Sequence, residues 1–209
     1  LFNSKSQFIR AYASVLYLKN TEKPNDIIKV AENDKNLFVK SFLWENIKNY
    51  ASKTDENLIK SALSSMSYFD RASASKIAAI SSKNPDSIPE LVKNATDENL
   101  FVRISLAEGM KLRQDSEGGL KILETLASDK ISSVRAMAAG SAYSKEKSAI
   151  FSKLASDQDW EVRRIAAITL GNEKSDDAVK ILLGLTGDKN APVRNAAENA
   201  ICKIHPNEG

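Results

Sequence analysis

Apolar and polar residues follow one template along most of this chain. An Asp is followed five residues later by an apolar anchor and then at once by a base, and after the anchor apolar or small residues fall at the third, fourth, seventh and eighth places. The clearest copies are "NDKNLFVKSFLWENI" from Asn33, "TDENLFVRISLAEGM" from Thr96, "SDKISSVRAMAAGSA" from Ser128, "SDQDWEVRRIAAITL" from Ser156 and "GDKNAPVRNAAENAI" from Gly187. The 3, 4, 7, 8 spacing marks one buried face of a helix. Before each anchor turn lies another short amphipathic run, such as "DSIPELVKNAT", "KSAIFSKLAS" or "DDAVKILLGLTG". Each unit therefore predicts two helices and a turn.

Two weaker copies extend the series. In "SKSQFIRAYASVLYL" Ser4 stands in the Asp place and Arg10 in the Arg place, and in "FDRASASKIAAIS" these places fall to Asp70 and Lys76. With Ile9, Val39, Ser75, Val102, Val134, Val162 and Val193 as anchors, the intervals are 30, 36, 27, 32, 28 and 31 residues. A period in this range means stacked supersecondary units. In the irregular third unit the pattern predicts a first helix from Asn57 to Tyr68 and a second from Arg71 to Ser82.

The acidic residues Asp34, Asp97, Asp129, Asp157 and Asp188, with the bases Lys40, Arg103, Arg135, Arg163 and Arg194, recur once per unit, which marks a structural device rather than chemistry. An Asp just before a helix can accept from the unpaired amides of the first turn, worth about 1 kcal/mol, and it favours the helix dipole. An Arg one turn later can hold carboxylates of its own or the adjacent turn with its planar fork. Stacking predicts a ladder of these pairs.

The pattern is similar to HEAT repeats, and most closely to the bacterial HEAT-like repeat named after phycobilisome lyases, with "LASDQDWEVRRIAAITLGN" from Leu154 carrying its signature nearly throughout. "KNPDSIPELVKNATDENLFVR" from Lys83 also resembles the leucine-rich repeat variant. The resemblance implies an all-α fold: a right-handed alpha-solenoid of about seven two-helix repeats over residues 1–209, the first incomplete, with second helices starting near 9, 39, 75, 102, 134, 162 and 193. It also implies a concave face lined by second helices. Residues left over after the buried set, at +2, +5, +6 and +9 from the anchor, are then candidates to touch a partner: Trp44, Glu45 and Lys48; Ile104, Glu108 and Lys111; Tyr143; Arg164; Asn195 and Glu198. Trp, Tyr and Arg are hot-spot types, so Trp44, Tyr143 and Arg164 stand out in this set.

Charge changes the picture little. The 30 basic and 27 acidic residues are interspersed, with a net charge of +3, which disfavours the basic stripe of a nucleic-acid binder. One Cys, Cys202, excludes an internal disulfide and fits a reducing, cytoplasmic setting. With a single His, His205, no zinc site of ordinary ligand type can be assembled. No apolar run approaches the ~20 residues of a membrane span, and no phosphate loop, nucleophile elbow or metalloprotease helix is present. The chain begins at Leu1, and "FIRAYASVLYL" would expose apolar surface alone, so further repeats or another domain are expected upstream. The sequence thus points to a non-catalytic scaffold or adaptor, without cofactor, that binds another protein on its concave face. A nucleic-acid-binding HEAT-like protein and a bilin-lyase-like enzyme subunit are the rival readings.

Overall fold

A computed structural model describes residues 1–20, 33–47, 56–113, 118–141 and 144–205. Within them the chain forms α1 (Gln7–Asn20), α2 (Leu37–Ile47), α3 (Glu56–Leu63), α4 (Tyr68–Ser81), α5 (Pro89–Asn94), α6 (Leu100–Leu112), α7 (Leu120–Leu126), α8 (Ser132–Ala139), α9 (Ser148–Ala155), α10 (Trp160–Leu170), α11 (Asp176–Leu185) and α12 (Ala191–Ile204), and no strand occurs among the described residues. The second helices are α1, α2, α4, α6, α8, α10 and α12. Each of α3, α5, α7, α9 and α11 packs on the second helix that follows it. The result is an all-α solenoid.

Local chemistry sets where the second helices start. Side chains of Asn36, Ser67, Asn99 and Asp159 accept from the amides of Phe38, Asp70, Phe101 and Glu161, occupying donors that the first turn leaves unpaired. Six of the seven helices begin two residues before the anchors Ile9, Val39, Val102, Val134, Val162 and Val193. Those five valines, with Leu43, Leu106, Ala138, Ala166 and Ala197 one turn on, are fully buried. Ile9 departs from the expectation at 46% exposed, since no described helix precedes α1 to cover it.

The third unit corrects the sequence alignment. Its second helix begins at Tyr68, seven residues before Ser75, and the residue in the anchor place is Asp70. Arg71, not Lys76, then takes the Arg place, and Ser65 takes the Asp place. Anchors at 9, 39, 70, 102, 134, 162 and 193 are 28 to 32 residues apart, a more regular period than the one read from the sequence. The slip arose because a buried Asp stands where other units carry Val, which left "DRASASK" to imitate the Asp-to-base spacing.

The second helices α4 and α6, and α10 and α12, approach each other closely. A Cβ on Gly109 of α6 would lie 2.7 Å from the carbonyl oxygen of Lys76 and 2.8 Å from the Cβ of Ala79, both on α4. Gly171 meets Ala200 of α12 in the same way, at 2.7 Å. The first helices touch one another far less.

Candidate protein-binding surface and the ladder beneath it

The ladder has one geometry throughout. Arg103 donates from Nη1 to the carbonyls of Asp97 at 2.7 Å and Glu98 at 3.3 Å, in its own turn, and from Nε and Nη2 to both carboxylate oxygens of Asp129 in the next unit. Arg135 repeats this with the carbonyls of Asp129 and Lys130 and the carboxylate of Asp157, and Arg163 with those of Asp157 and Gln158 and the carboxylate of Asp188. Arg10 grips Asp34 and Arg71 grips Asp97 likewise. The six-residue interval follows from this double duty: the base must sit one turn into its helix to reach back to its own turn while pointing at the next. Lys40 is the odd rung, with a single 3.5 Å contact to Asp70. Arg194 holds the carbonyls of Asp188 and Lys189.

The Asp residues are not the helix caps themselves. The carboxylates of Asp34, Asp97, Asp129, Asp157 and Asp188 each accept the amide two residues on, at 2.8 to 2.9 Å, and shape the turn that carries the capping residue. Their main partner is the Arg of the preceding unit. Hydrogen bonds from Arg10 and Arg163 hold Asp34 and Asp188 below the usual carboxylate range. For Asp97 and Asp157 desolvation is the largest single influence and pushes upward, but the hydrogen bonds and charges of the guanidinium and turn outweigh it, and both are lowered. Arg10, Arg71, Arg135 and Arg163 are raised in return by their Asp partners.

The expected partner-binding residues separate into groups. Trp44 is a correction: it is 3% exposed and packed in the core. Its place, +5, faces the neighbouring unit, and the equivalents Ser14, Ser75, Ala107, Ala139 and Ala167 are all buried. Glu198 alone at that place is exposed, because no described second helix follows α12. Ile104 packs partly against the core, and the stem of Lys111 lies over Gly140. Glu108 pairs with Lys76 across units at 2.8 Å, and Arg164 is bound by both oxygens of Glu161. Lys48, Tyr143 and the side chain of Glu45 lie outside the described residues. Arg164 and Asn195 come together with Ile168, Asn199 and Lys203 along a cleft of about 380 Å³ between α10 and α12.

One feature of this face escaped the sequence reading. In units one to four the residue just before the anchor place is Phe8, Phe38, Phe69 or Phe101, whereas the last three units carry Ser133, Glu161 and Pro192. Phe8 meets Phe38 at 5.2 Å between ring centroids, Phe38 meets Phe42 at 5.8 Å and Tyr12 meets Phe42 at 5.7 Å. Tyr68 and Phe101 stack at 6.3 Å. Phe8, Tyr12 and Phe101 remain 59%, 65% and 64% exposed. The aromatic place is visible in sequence as "QFI", "LFV" and "LFV".

Among the described residues no group of three His, Cys, Asp or Glu side chains could hold a metal ion, and no helix is long and apolar enough to cross a membrane. Residues 134–202 match the family described as HEAT repeats. The HEAT-repeat recognition therefore holds for that segment, and the same rung geometry runs through the units before it. Nothing in the comparisons supports the narrower likeness to the phycobilisome-lyase repeat. Among solved structures, a designed armadillo repeat protein is similar with a TM-score of 0.47 and 16% identity, over 97% of this chain and 96% of that chain. No curated protein matches.

Proposed function

We propose that this array is a non-catalytic scaffold or adaptor that binds another protein on the face formed by its second helices. The observation that supports this reading is where the charge goes. Arg10, Arg71, Arg103, Arg135 and Arg163 are each spent on an Asp of the next unit, and Arg164 on Glu161. The same face meanwhile carries exposed aromatic rings and the cleft between α10 and α12. A nucleic-acid surface needs free cations along a groove, whereas a protein interface draws on aromatic rings with a few polar groups around them.

A photo-crosslinking amino acid placed at Ile104, Asn195 or Asn199 on second helices, or at Glu124 or Ser152 on first helices, tests this in extract of the source cell. Discrete protein adducts are expected from the first three positions and not from the last two. Adducts only from Glu124 or Ser152, or tighter binding to random duplex DNA than to any protein at physiological salt, would refute it.

A further inference from the structure

We propose that the aromatic row on units one to four receives an extended, acidic segment of another protein that presents an apolar side chain at every third residue. The proposal deepens the scaffold reading and rests on it. The rings form two clusters, Phe8, Tyr12, Phe38 and Phe42 on units one and two and Tyr68 and Phe101 on units three and four, each spanning two second helices, while Phe69 is half-buried against the core. The row is a feature of the face, not of the chain end. Ile9 and Leu16 are exposed at places buried in later units, by Val102 and Gly109 for example, whereas Phe8, Phe38 and Phe101 share one place and are exposed in all three units.

Charge selects the occupant. The ladder neutralises Arg10 with Asp34 and Arg71 with Asp97. What remains beside the rings of units one and two, among the described residues, is exposed Lys5 and Lys35 in the turns before Phe8 and Phe38. A second copy of the chain would bring the same lysines against them. An acidic segment answers them, and like charges opposed across an interface are costly. Single-stranded nucleic acid fits less well. Bases need open ring faces and a continuous positive groove, but these rings are engaged with one another.

Spacing selects the conformation. Packed helices lie roughly 8–10 Å apart, and a polyproline II segment advances about 9.3 Å in three residues. An apolar side chain at every third position of such a segment therefore keeps step with one unit after another.

The test is fluorescence anisotropy with three labelled probes: a peptide of four Leu-Pro-Glu triplets, one of four Leu-Pro-Lys triplets, and a twelve-nucleotide oligothymidine. The Glu peptide is expected to bind at least tenfold more tightly than either other probe. Phe8→Ser combined with Phe38→Ser should weaken it at least tenfold, and Leu183→Ser, on the first helix α11 and exposed, should leave it unchanged. Tyr12→Ser, at the most exposed ring, serves if the double variant melts early. Absent binding of the Glu peptide, equal binding of both peptides, unchanged binding by the ring variants, or preference for oligothymidine would each overturn the proposal. Protein adducts from Asn195 and Asn199 that persist in Phe8→Ser with Phe38→Ser would then keep the scaffold reading while the aromatic row is given up. Loss of all second-helix adducts from the unsubstituted protein would remove both.

Discussion

Replacing Arg135 by Lys keeps the charge and removes the fork. Arg135 donates at 2.7 and 2.8 Å to the two carboxylate oxygens of Asp157 and at 2.9 and 3.4 Å to the carbonyls of Asp129 and Lys130. Both side chains of the pair are nine-tenths removed from solvent. Lys40, in the Arg place of unit two, makes a single 3.5 Å contact with Asp70, in a unit whose Asp place holds Ser65. Arg135→Lys therefore forfeits one charged hydrogen bond, worth ~1.5–3 kcal/mol, and a bond to a carbonyl, worth ~1 kcal/mol, for a total of roughly 2–4 kcal/mol. Urea unfolding followed by circular dichroism should show a lower midpoint with an unchanged slope. Hydrogen exchange should rise mostly in α8, α9 and α10, because each unit contacts its neighbours alone. A loss below about 0.5 kcal/mol, or exchange rising evenly from α1 to α12, would refute the view that the fork, rather than charge, joins the units.

Acid should open the ladder. Asp34, Asp97, Asp157 and Asp188 titrate below their ordinary value in the fold, so the stabilisation they give is complete above the unfolded value of ~3.9 and fades as pH falls through the lowered folded values. Melting temperature should be flat above pH ~5 and drop below pH ~4, and a melting temperature still constant at pH 3 would contradict this. Trp44→Ala should cost about 3–5 kcal/mol through the cavity left in the core, and a variant of normal stability would overturn its assignment as core. The third unit should improve when given the residues of its neighbours. Lys40→Arg, Ser65→Asp and Asp70→Val together replace a 3.5 Å contact and an unpartnered carboxylate oxygen with a fork and a buried methyl pair, for a gain of ~1–2 kcal/mol measured by thermal melting. A less stable triple variant would mean that Asp70 has a role in the fold beyond its contact with Lys40.

What the sequence disclosed was whatever the repeat enforces in every unit. The helical face at the anchor and +4 places, the turn and the Asp-to-Arg interval could be read because several copies agree. The direction of the rung could not, since spacing alone does not say whether Arg103 reaches Asp97 or Asp129; it uses the carbonyl of one and the carboxylate of the other. Trp44 was misplaced on the surface because a regular helix leaves +5 off the intra-unit core, and its burial comes from the adjoining unit. Asp70 was misread for the opposite reason: a charged residue in an apolar place hides the frame. The aromatic row was visible letter by letter, but its meaning depended on Phe8 and Phe38 meeting across 30 residues of chain.

The rungs also determine how the array answers a pull along its length. Each guanidinium ties its own turn to the next unit, so tension applied between the ends passes through a series of similar clasps and concentrates at the weakest of them. That clasp is Lys40 on Asp70, where one donor stands in for several. Under load the array should part there first, leaving the units from α4 onward clasped as one block, so a partner spread over the aromatic row would be gripped on both sides of the breaking point and would act as a splint across it.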